Sequence, residues 1–411
     1  MSEVADVMIA GRWVAPAGAG TRIVTNPSTL RPVGSVGLSG APQWQTAVGA
    51  AHAAAAGFPR RTEERAALLA AVGERLFADQ RELALCHARE TGQVFAESLD
   101  GVRRAAACWQ VDRAAKTTQA APAVCLVCPR PDTALLDWSR IVADRLARGV
   151  ACVVALPAQA PLTVLRAASA CEGLPQGALS VLVGDPVGVE LESVECVRPA
   201  DAPAATDIVY VSADVQLETA VAGAAARRLY HSGQRAEQSV RVYVETSRIG
   251  AYANRLHEYL AFLEAGDAVK PATDLGPLAS DARLQEVEAQ VGRALRRGVL
   301  LKLGGRRYQP WGLTGYFFQP TLMIEGAGDA RAPDDQIRGP VIILSPAHDL
   351  SEVLADRPDN GLVRVSLFAA DAQRVLADVD AGARRMQIDP LEAPGEDGFP
   401  YQARSARDER R

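Results

Sequence analysis

Apolar and polar positions change period several times along the chain, and each change predicts an element. Val7-Met-Ile-Ala-Gly-Arg-Trp-Val-Ala15 predicts a hairpin that turns at Gly11. Asn26-Pro27-Ser28-Thr29 carries turn chemistry and predicts a turn ahead of a second short strand pair. From Gln43 to Ala56 small apolar residues recur at helical spacing. A second helix is expected to open at Thr62, a plausible N-cap, a third at 79–89, and a fourth from Val94 to roughly Ala115.

Beyond these helices the period alternates. A strand at 123–128 precedes a helix at 134–148, a strand at 150–156, a helix at 161–171 and a strand at 179–183. Gly173 can take a left-handed conformation at the end of the second helix, and Pro175 blocks its continuation. A second series starts with Ile208-Val-Tyr-Val211 and runs through helices at 215–230, 249–264 and 281–297. Its strands are expected at 240–244, 299–303, 341–344 and 365–369. Strands alternating with helices of this length imply βαβ units on parallel sheets. The fold class is therefore α/β, with a domain boundary near residue 206, a second domain over 207–388 and a polar tail at 389–411.

Composition narrows the function classes. The 411 residues are 48% hydrophobic and 23% charged, enough for more than one core. A net charge of −5 with only short basic runs, such as Arg296-Arg297, excludes a nucleic-acid face. No apolar run approaches the roughly 20 residues a bilayer span needs. The acidic start, Met-Ser-Glu-Val-Ala-Asp, is unlike a secretory leader, so a cytoplasmic location is expected. The seven cysteines are odd in number and lie in apolar surroundings, as small core residues in a reducing compartment do. Cys125-Leu-Val-Cys128 has CxxC spacing but no second pair and no nearby His, so neither a metal nor a redox role is expected of it.

Several stretches, in order along almost the whole chain, resemble the aldehyde dehydrogenase superfamily. They include Ile9-Ala-Gly-Arg-Trp-Val with Asn26-Pro-Ser-Thr, Thr91-Gly-Gln with Glu97 and Arg103, and Leu174-Pro-Gln-Gly-Ala-Leu-Ser-Val-Leu-Val-Gly-Asp185. Ser232-Gly-Gln234, Asp274-Leu-Gly-Pro-Leu278, Leu303-Gly-Gly305, Gly315-Tyr-Phe-Phe-Gln-Pro-Thr321 and Ile337-Arg-Gly-Pro-Val341 continue the series. The resemblance implies a Rossmann-like cofactor domain, an α/β catalytic domain and NAD(P)-dependent oxidation of aldehydes. In that chemistry a cysteine thiolate attacks the aldehyde, a hydride leaves for the nicotinamide, and a glutamate activates water.

Matched position by position, this chain departs from that pattern. Gly233 and Gln234 remain, but the nucleophile position is Ala236, and no cysteine follows Cys196. The general-base position matches Ala200, with Asp201 beside it and Glu195 as a remote second candidate. The positions that hold the adenosine ribose match Leu156 and Gln159. Those beside the nicotinamide ribose match Gln336 and Arg338. The interval from Asp185 to Ala200 is several times shorter than the family's, as though a whole βα unit with its phosphate-binding helix were deleted. Lys116-Thr-Thr-Gln-Ala-Ala is also too short for the family's oligomerisation arm.

Together these losses predict no catalytic residue, no dinucleotide or other cofactor and no metal. The expected role is that of a pseudoenzyme, a structural or regulatory subunit that dimerises with itself or with an active paralogue. The alternatives are an enzyme of altered chemistry using Ser232, His231 or Glu237, and a divergent NAD(P)-dependent aldehyde dehydrogenase.

Overall fold

The computed structural model describes residues 4–55, 62–110, 124–131, 133–186, 188, 194–198, 206–235, 241–326, 332, 337–355, 363–377 and 386–390. It divides into two compact units. Unit 1 comprises Met1–Asn26, Leu30–Thr91 and Ser98–Pro199. Unit 2 comprises Pro27–Thr29, Gly92–Glu97 and Ala200–Arg411.

Unit 1 opens with the strands β1 (Val4–Ala5), β2 (Val7–Ile9) and β3 (Arg12–Val14), followed by β4 (Thr21–Thr25) and β5 (Pro32–Gly37). β2 and β3 pair as the expected hairpin, Ile9 opposite Arg12, and Ala10 and Gly11 at its tip both have positive φ. The Asn26 turn lies inside the next antiparallel pair, between β4 and β5, and not ahead of it. Thr21-Arg-Ile-Val-Thr25 exposes most of its side chains, so its hydrophobic pattern is too weak to mark it as a strand. The helices α1 (Ala41–Ala55), α2 (Thr62–Ala78), α3 (Gln80–Thr91) and α4 (Phe95–Ala107) follow. α4 stops eight residues short of the expected Ala115, at a turn in which the Cys108 and Trp109 amides bond to Ala105 and Ala106.

The rest of unit 1 is a parallel α/β series: β6 (Val124–Val127), α5 (Ala134–Ala147), β7 (Ala151–Leu156), α6 (Leu162–Ala168), β8 (Leu179–Val183) and β9 (Val194–Val197). β6, β7 and β8 are buried on both faces, which is why they read as continuous apolar runs. Gly173 adopts the left-handed conformation (φ +98°) just past the second helix. The sheet order is β3-β2-β8-β7-β6-β9.

β9 corrects one expectation. The unit thought to be deleted keeps its strand, Val-Glu-Cys-Val, parallel to β6 with Leu126 opposite Cys196. Four residues with one charge and a half-exposed face leave no run long enough to register as a strand. Only residues 198–205 separate β9 from the next strand.

Unit 2 contains β10 (Thr206–Val211), α7 (Leu217–Leu229), β11 (Arg241–Glu245), α8 (Ile249–Ala261), α9 (Asp281–Arg296), β12 (Leu300–Leu303), β13 (Thr321–Ile324), β14 (Val341–Ala347), α10 (Leu350–Ala355), β15 (Val363–Phe368), α11 (Ala372–Ala377) and β16 (Met386–Pro390). The sheet order is β12-β13-β14-β11-β10-β15-β16, parallel except for the β12–β13 pair at one edge. Ser280 caps α9 by accepting from the Arg283 amide, with Asp281 in the first turn. One apolar cluster packs α7 and α8 on Val209, Val242, Val244 and Leu344; a second packs α9 on Met323, Val341 and Ile343. β13 and β16 were not anticipated. Asp389 and Pro390, assigned to the tail, belong to β16, and residues 391–411 lie outside the described part.

Among the described residues no helix is long and apolar enough to cross a membrane.

Candidate active site

The turn that follows α7 is built from backbone conformations that most residues avoid. His231 (φ 52°, ψ 41°), Ser232 (φ 52°, ψ 32°) and Gly233 (φ 69°) are all left-handed. A non-glycine residue held there costs about 1–3 kcal/mol, and such strain persists only where the surroundings over-determine it.

Here the surroundings do so. The His231 amide donates to Glu97 Oε2 at 2.8 Å, and Gln93 Nε2 donates to the same oxygen at 3.2 Å. Ser232 Oγ donates to the Gly276 carbonyl at 2.9 Å. Gln234 bridges the turn to the next loop: its Nε2 donates to the His231 carbonyl and its Oε1 accepts from the Ala279 amide.

Beneath the turn lies Arg228, 2% exposed. Its Nη1 donates to the Gly233 carbonyl at 2.9 Å, and its Nη2 donates to the carbonyls of Gly339 at 3.0 Å and Ile337 at 2.5 Å. One buried guanidinium thus ties the turn to the loop before β14. Three backbone carbonyls satisfy a charge that would otherwise be expensive to bury.

The turn is therefore a rigid, buried polar platform, with an imidazole, a hydroxyl and a carboxylate within four percent of full burial. Ser232 spends its proton on a backbone carbonyl and not on a base, so it is not an activated nucleophile.

Several of the residues singled out in the sequence meet in unit 2: Glu97, His231, Ser232, Gly233, Gln234 and, partly exposed in the same loop as Gly339, Arg338. Ala236, Glu237, Ala200, Asp201 and Gln336 lie outside the described residues. Glu195 belongs to the unit 1 sheet, where Arg145 Nη2 holds it at 2.7 Å in a salt bridge. In the same unit Leu156 is buried at the end of β7 and Gln159 is exposed just beyond it. Cys125 and Cys128 stand three positions apart on extended chain and so face opposite sides of the sheet, which prevents joint action.

Two buried carboxylates escaped the sequence reading. Glu90 accepts from the Thr163 amide at 2.9 Å and from Leu162 N and Thr163 Oγ1, capping α6 from outside the helix. Burial outweighs these donors and pushes Glu90 up to about 7. Asp137, in the first turn of α5, accepts from Arg130 N and Nε and from Thr133 Oγ1. Glu90 leaves no sequence signal, because its partners lie more than seventy positions away and are set by the tertiary fold. The first amides of α6 are thus already taken by the Glu90 carboxyl.

The sequence model of the aldehyde dehydrogenase family matches residues 13–123 and 204–385. The NADP(+) succinate-semialdehyde dehydrogenase GabD of Escherichia coli (strain K12) is 26% identical over 418 residues, spanning 90% of this chain and 86% of that protein. The crystal structure of succinate-semialdehyde dehydrogenase from Burkholderia pseudomallei superposes with a TM-score of 0.81 at 26% identity, covering 93% of this chain and 89% of that one. An NAD+ complex of aldehyde dehydrogenase from Bacillus cereus shares the fold, with a TM-score of 0.78 at 21% identity over 95% of this chain and 90% of its own. The chain belongs to the aldehyde dehydrogenase family.

These relatives overturn two expectations. A non-catalytic subunit is not what the relatives are: those named above are dehydrogenases that match this chain over nearly its full length. The absence of a dinucleotide is overturned likewise, since the succinate-semialdehyde dehydrogenase relative is named with NADP(+). The physical reason is that a dinucleotide fold binds through its topology, in the crevice beyond the carboxyl ends of parallel strands. β9, parallel to β6, keeps the strand order on which such a crevice depends.

Proposed function

We propose that this family member is a divergent NAD(P)-dependent aldehyde dehydrogenase that oxidises a small aldehyde, of the semialdehyde class its relatives act on, without a cysteine nucleophile. The observation that carries the reading is the buried turn His231–Gln234, kept in a strained form by Glu97, Arg228 and Gln234.

The residues of unit 1 fit a dinucleotide in altered form. Gln159, exposed just past β7, can exchange hydrogen bonds with a ribose hydroxyl, which Leu156 cannot. Gly184, φ +101°, ends β8 without a side chain at the same carboxyl edge. When bound, NAD(P) supplies hydride-accepting chemistry.

The chain's own part follows from what the turn offers. With alanine at 236 no thiohemiacetal forms there, so the substrate is oxidised as its hydrate. The hydrate gives up a hydride from carbon and a proton from oxygen and becomes the carboxylic acid. We assign the proton to the His231 imidazole, the basic side chain on the turn. Ser232, Gln234 and the Arg228 clamp hold the backbone that carries it in place. A self-dimer is the assembly this reading favours, because an active chain needs no catalytic paralogue.

Steady-state assays with succinate semialdehyde and other small aldehydes, each with NAD+ and with NADP+, test the reading. Aldehyde-dependent formation of reduced nicotinamide together with the acid supports it. Its absence over the whole set would remove it.

A further inference from the structure

Between Glu288 and Glu325 the chain carries no acidic residue, yet it holds six cations: Arg293, Arg296, Arg297, Lys302, Arg306 and Arg307. In a chain of net charge −5 that is a local excess of positive charge. The stretch runs from the end of α9 through β12 and into the loop before β13. β12 is the outermost strand on its side of the unit 2 sheet, so the stretch borders that edge.

Most of this charge is not neutralised locally. Arg307 is paired, with Glu288 at 2.8 Å and with Asp281 at 3.7 Å. Lys302 and Arg306 instead donate to the amide oxygens of Asn254 at 2.9 Å and Gln319 at 3.3 Å. Among the described residues no carboxylate pairs with Arg296, Arg297, Lys302 or Arg306. The three arginines of that group are exposed.

The loop after β12 is a braced finger. Arg307 bridges Phe318 in antiparallel register, the Gln319 amide donates to the Arg306 carbonyl at 3.1 Å, and the Tyr308 amide donates to the Phe317 carbonyl at 3.1 Å. At the tip the Leu313 amide closes a four-residue turn on the Pro310 carbonyl at 3.0 Å, with Gly312 left-handed at φ +76° in its third position. Thr314 Oγ1 donates to the Thr29 carbonyl at 2.9 Å and ties one arm to the body of unit 2. This geometry sets Trp311 on the turn, fully exposed. Tyr308 on the first arm and Leu300 on β12 are exposed as well.

An indole held wholly in water forgoes the gain that burial would bring. Trp311 projects from a turn, so a rigid partner covers it only with a matching pocket, whereas the soft interfacial layer of a bilayer accepts it without one. Indole and phenol rings settle at that layer, and cations beside them are drawn to anionic headgroups. The aliphatic stems of Lys and Arg let the charges stay among the headgroups while the tip goes deeper. Stable docking takes two such signals together, an inserted apolar group and a basic patch. We propose that the finger 306–319 and the adjoining edge of β12 dock on an anionic bilayer surface. Trp311 enters the interface, and Arg296, Arg297, Lys302 and Arg306 meet the headgroups. The contact needs no membrane-spanning helix and is independent of the dehydrogenase reading above.

Flotation of the full-length protein with phosphatidylcholine vesicles, with and without phosphatidylserine, is the test. The wild type should float with the anionic vesicles at low salt, stay behind with the neutral ones and be released by high salt. Trp311→Ala should weaken partitioning about tenfold and Arg306→Gln about fivefold. Both side chains are exposed, so neither change should move the urea unfolding midpoint. Tryptophan emission should shift to the blue on anionic vesicles and be quenched by lipids brominated on their acyl chains. Trp44, Trp109 and Trp138 are buried, and Trp311→Phe should abolish both effects. Absence of flotation, or flotation that Trp311→Ala leaves intact, would overturn the proposal. Equal flotation on neutral vesicles would overturn the role of the cations. Capture by polyglutamate beads without flotation would assign the face to an acidic protein partner and overturn the bilayer.

Discussion

Gly233 passes so close beneath Gly339 that a β-carbon at position 233 would fall 2.2 Å from the Gly339 carbonyl oxygen and 2.5 Å from Arg228 Nη1. Its φ of +69° disfavours larger residues as well. Glycine at 233 is therefore dictated by both space and backbone, and the turn and the 337–339 loop hold each other in place. Gly233→Ala should cost at least about 2 kcal/mol in urea unfolding and remove dinucleotide-linked turnover. A fully stable, active variant would show that the turn is not held as described.

The neighbouring serine should behave differently. Ser232 Oγ is spent on the Gly276 carbonyl, so Ser232→Ala loses one hydrogen bond of about 1 kcal/mol and leaves kcat within a few-fold of wild type. His231→Ala, which deletes the proposed proton acceptor, should lower kcat by about a hundredfold or more with little change in KM. Comparable kcat losses in the two variants would argue for a structural role of the turn and against a base at His231.

Much of the fold was open to inspection in the chain itself, because buried parallel strands such as Val124–Val127, Ala151–Leu156 and Leu179–Val183 carry unbroken apolar runs. Elements that rely on neighbours for their stability were not. Val194–Val197 is too short and too exposed to announce itself, yet its pairing with β6 decides whether a ligand crevice exists. The site was half visible. Gly233, Gln234 and Glu97 stood out as motif residues, whereas Arg228 belongs to no motif, and two of its three carbonyl partners lie more than a hundred positions away. Missing motif side chains are visible in the sequence, whereas the strand order of the sheet is not encoded in local pattern.

Unit 2 contains a second buried charge whose removal should be costly. Arg241 and Glu325 pair at 3.1 Å, both nearly inaccessible, with Ser345 Oγ and the Ala332 amide also donating to the carboxylate. Removing one partner strands the other in a low-dielectric interior. Glu325→Ala should destabilise the protein by about 3–5 kcal/mol in equilibrium unfolding. A loss below about 1 kcal/mol would mean that water reaches the orphaned guanidinium.

Glu90 sets a pH dependence whose sign is fixed by its burial. Its folded-state pKa is raised from the ordinary 4.5 to about 7, so between those values the folded state holds a proton that the unfolded state has released. The stabilisation from this site is fully present below about 4.5 and is lost as pH rises toward 7, a change on the order of 3 kcal/mol. Glu90→Gln cannot titrate. The wild type should lose stability relative to Glu90→Gln across this window and run parallel to it above 7. A flat difference from pH 4.5 to 7 would show that the three donors keep Glu90 ionised.

The most direct test of the central claim follows the hydride itself. Succinate semialdehyde deuterated at the aldehyde carbon is incubated with the protein and NAD+ or NADP+, and the reduced nicotinamide is weighed by mass spectrometry. The account predicts reduced nicotinamide carrying one deuterium, formed alongside the acid and strongly diminished in His231→Ala. Reduced nicotinamide without the label, or none from this or any other small aldehyde, would contradict it.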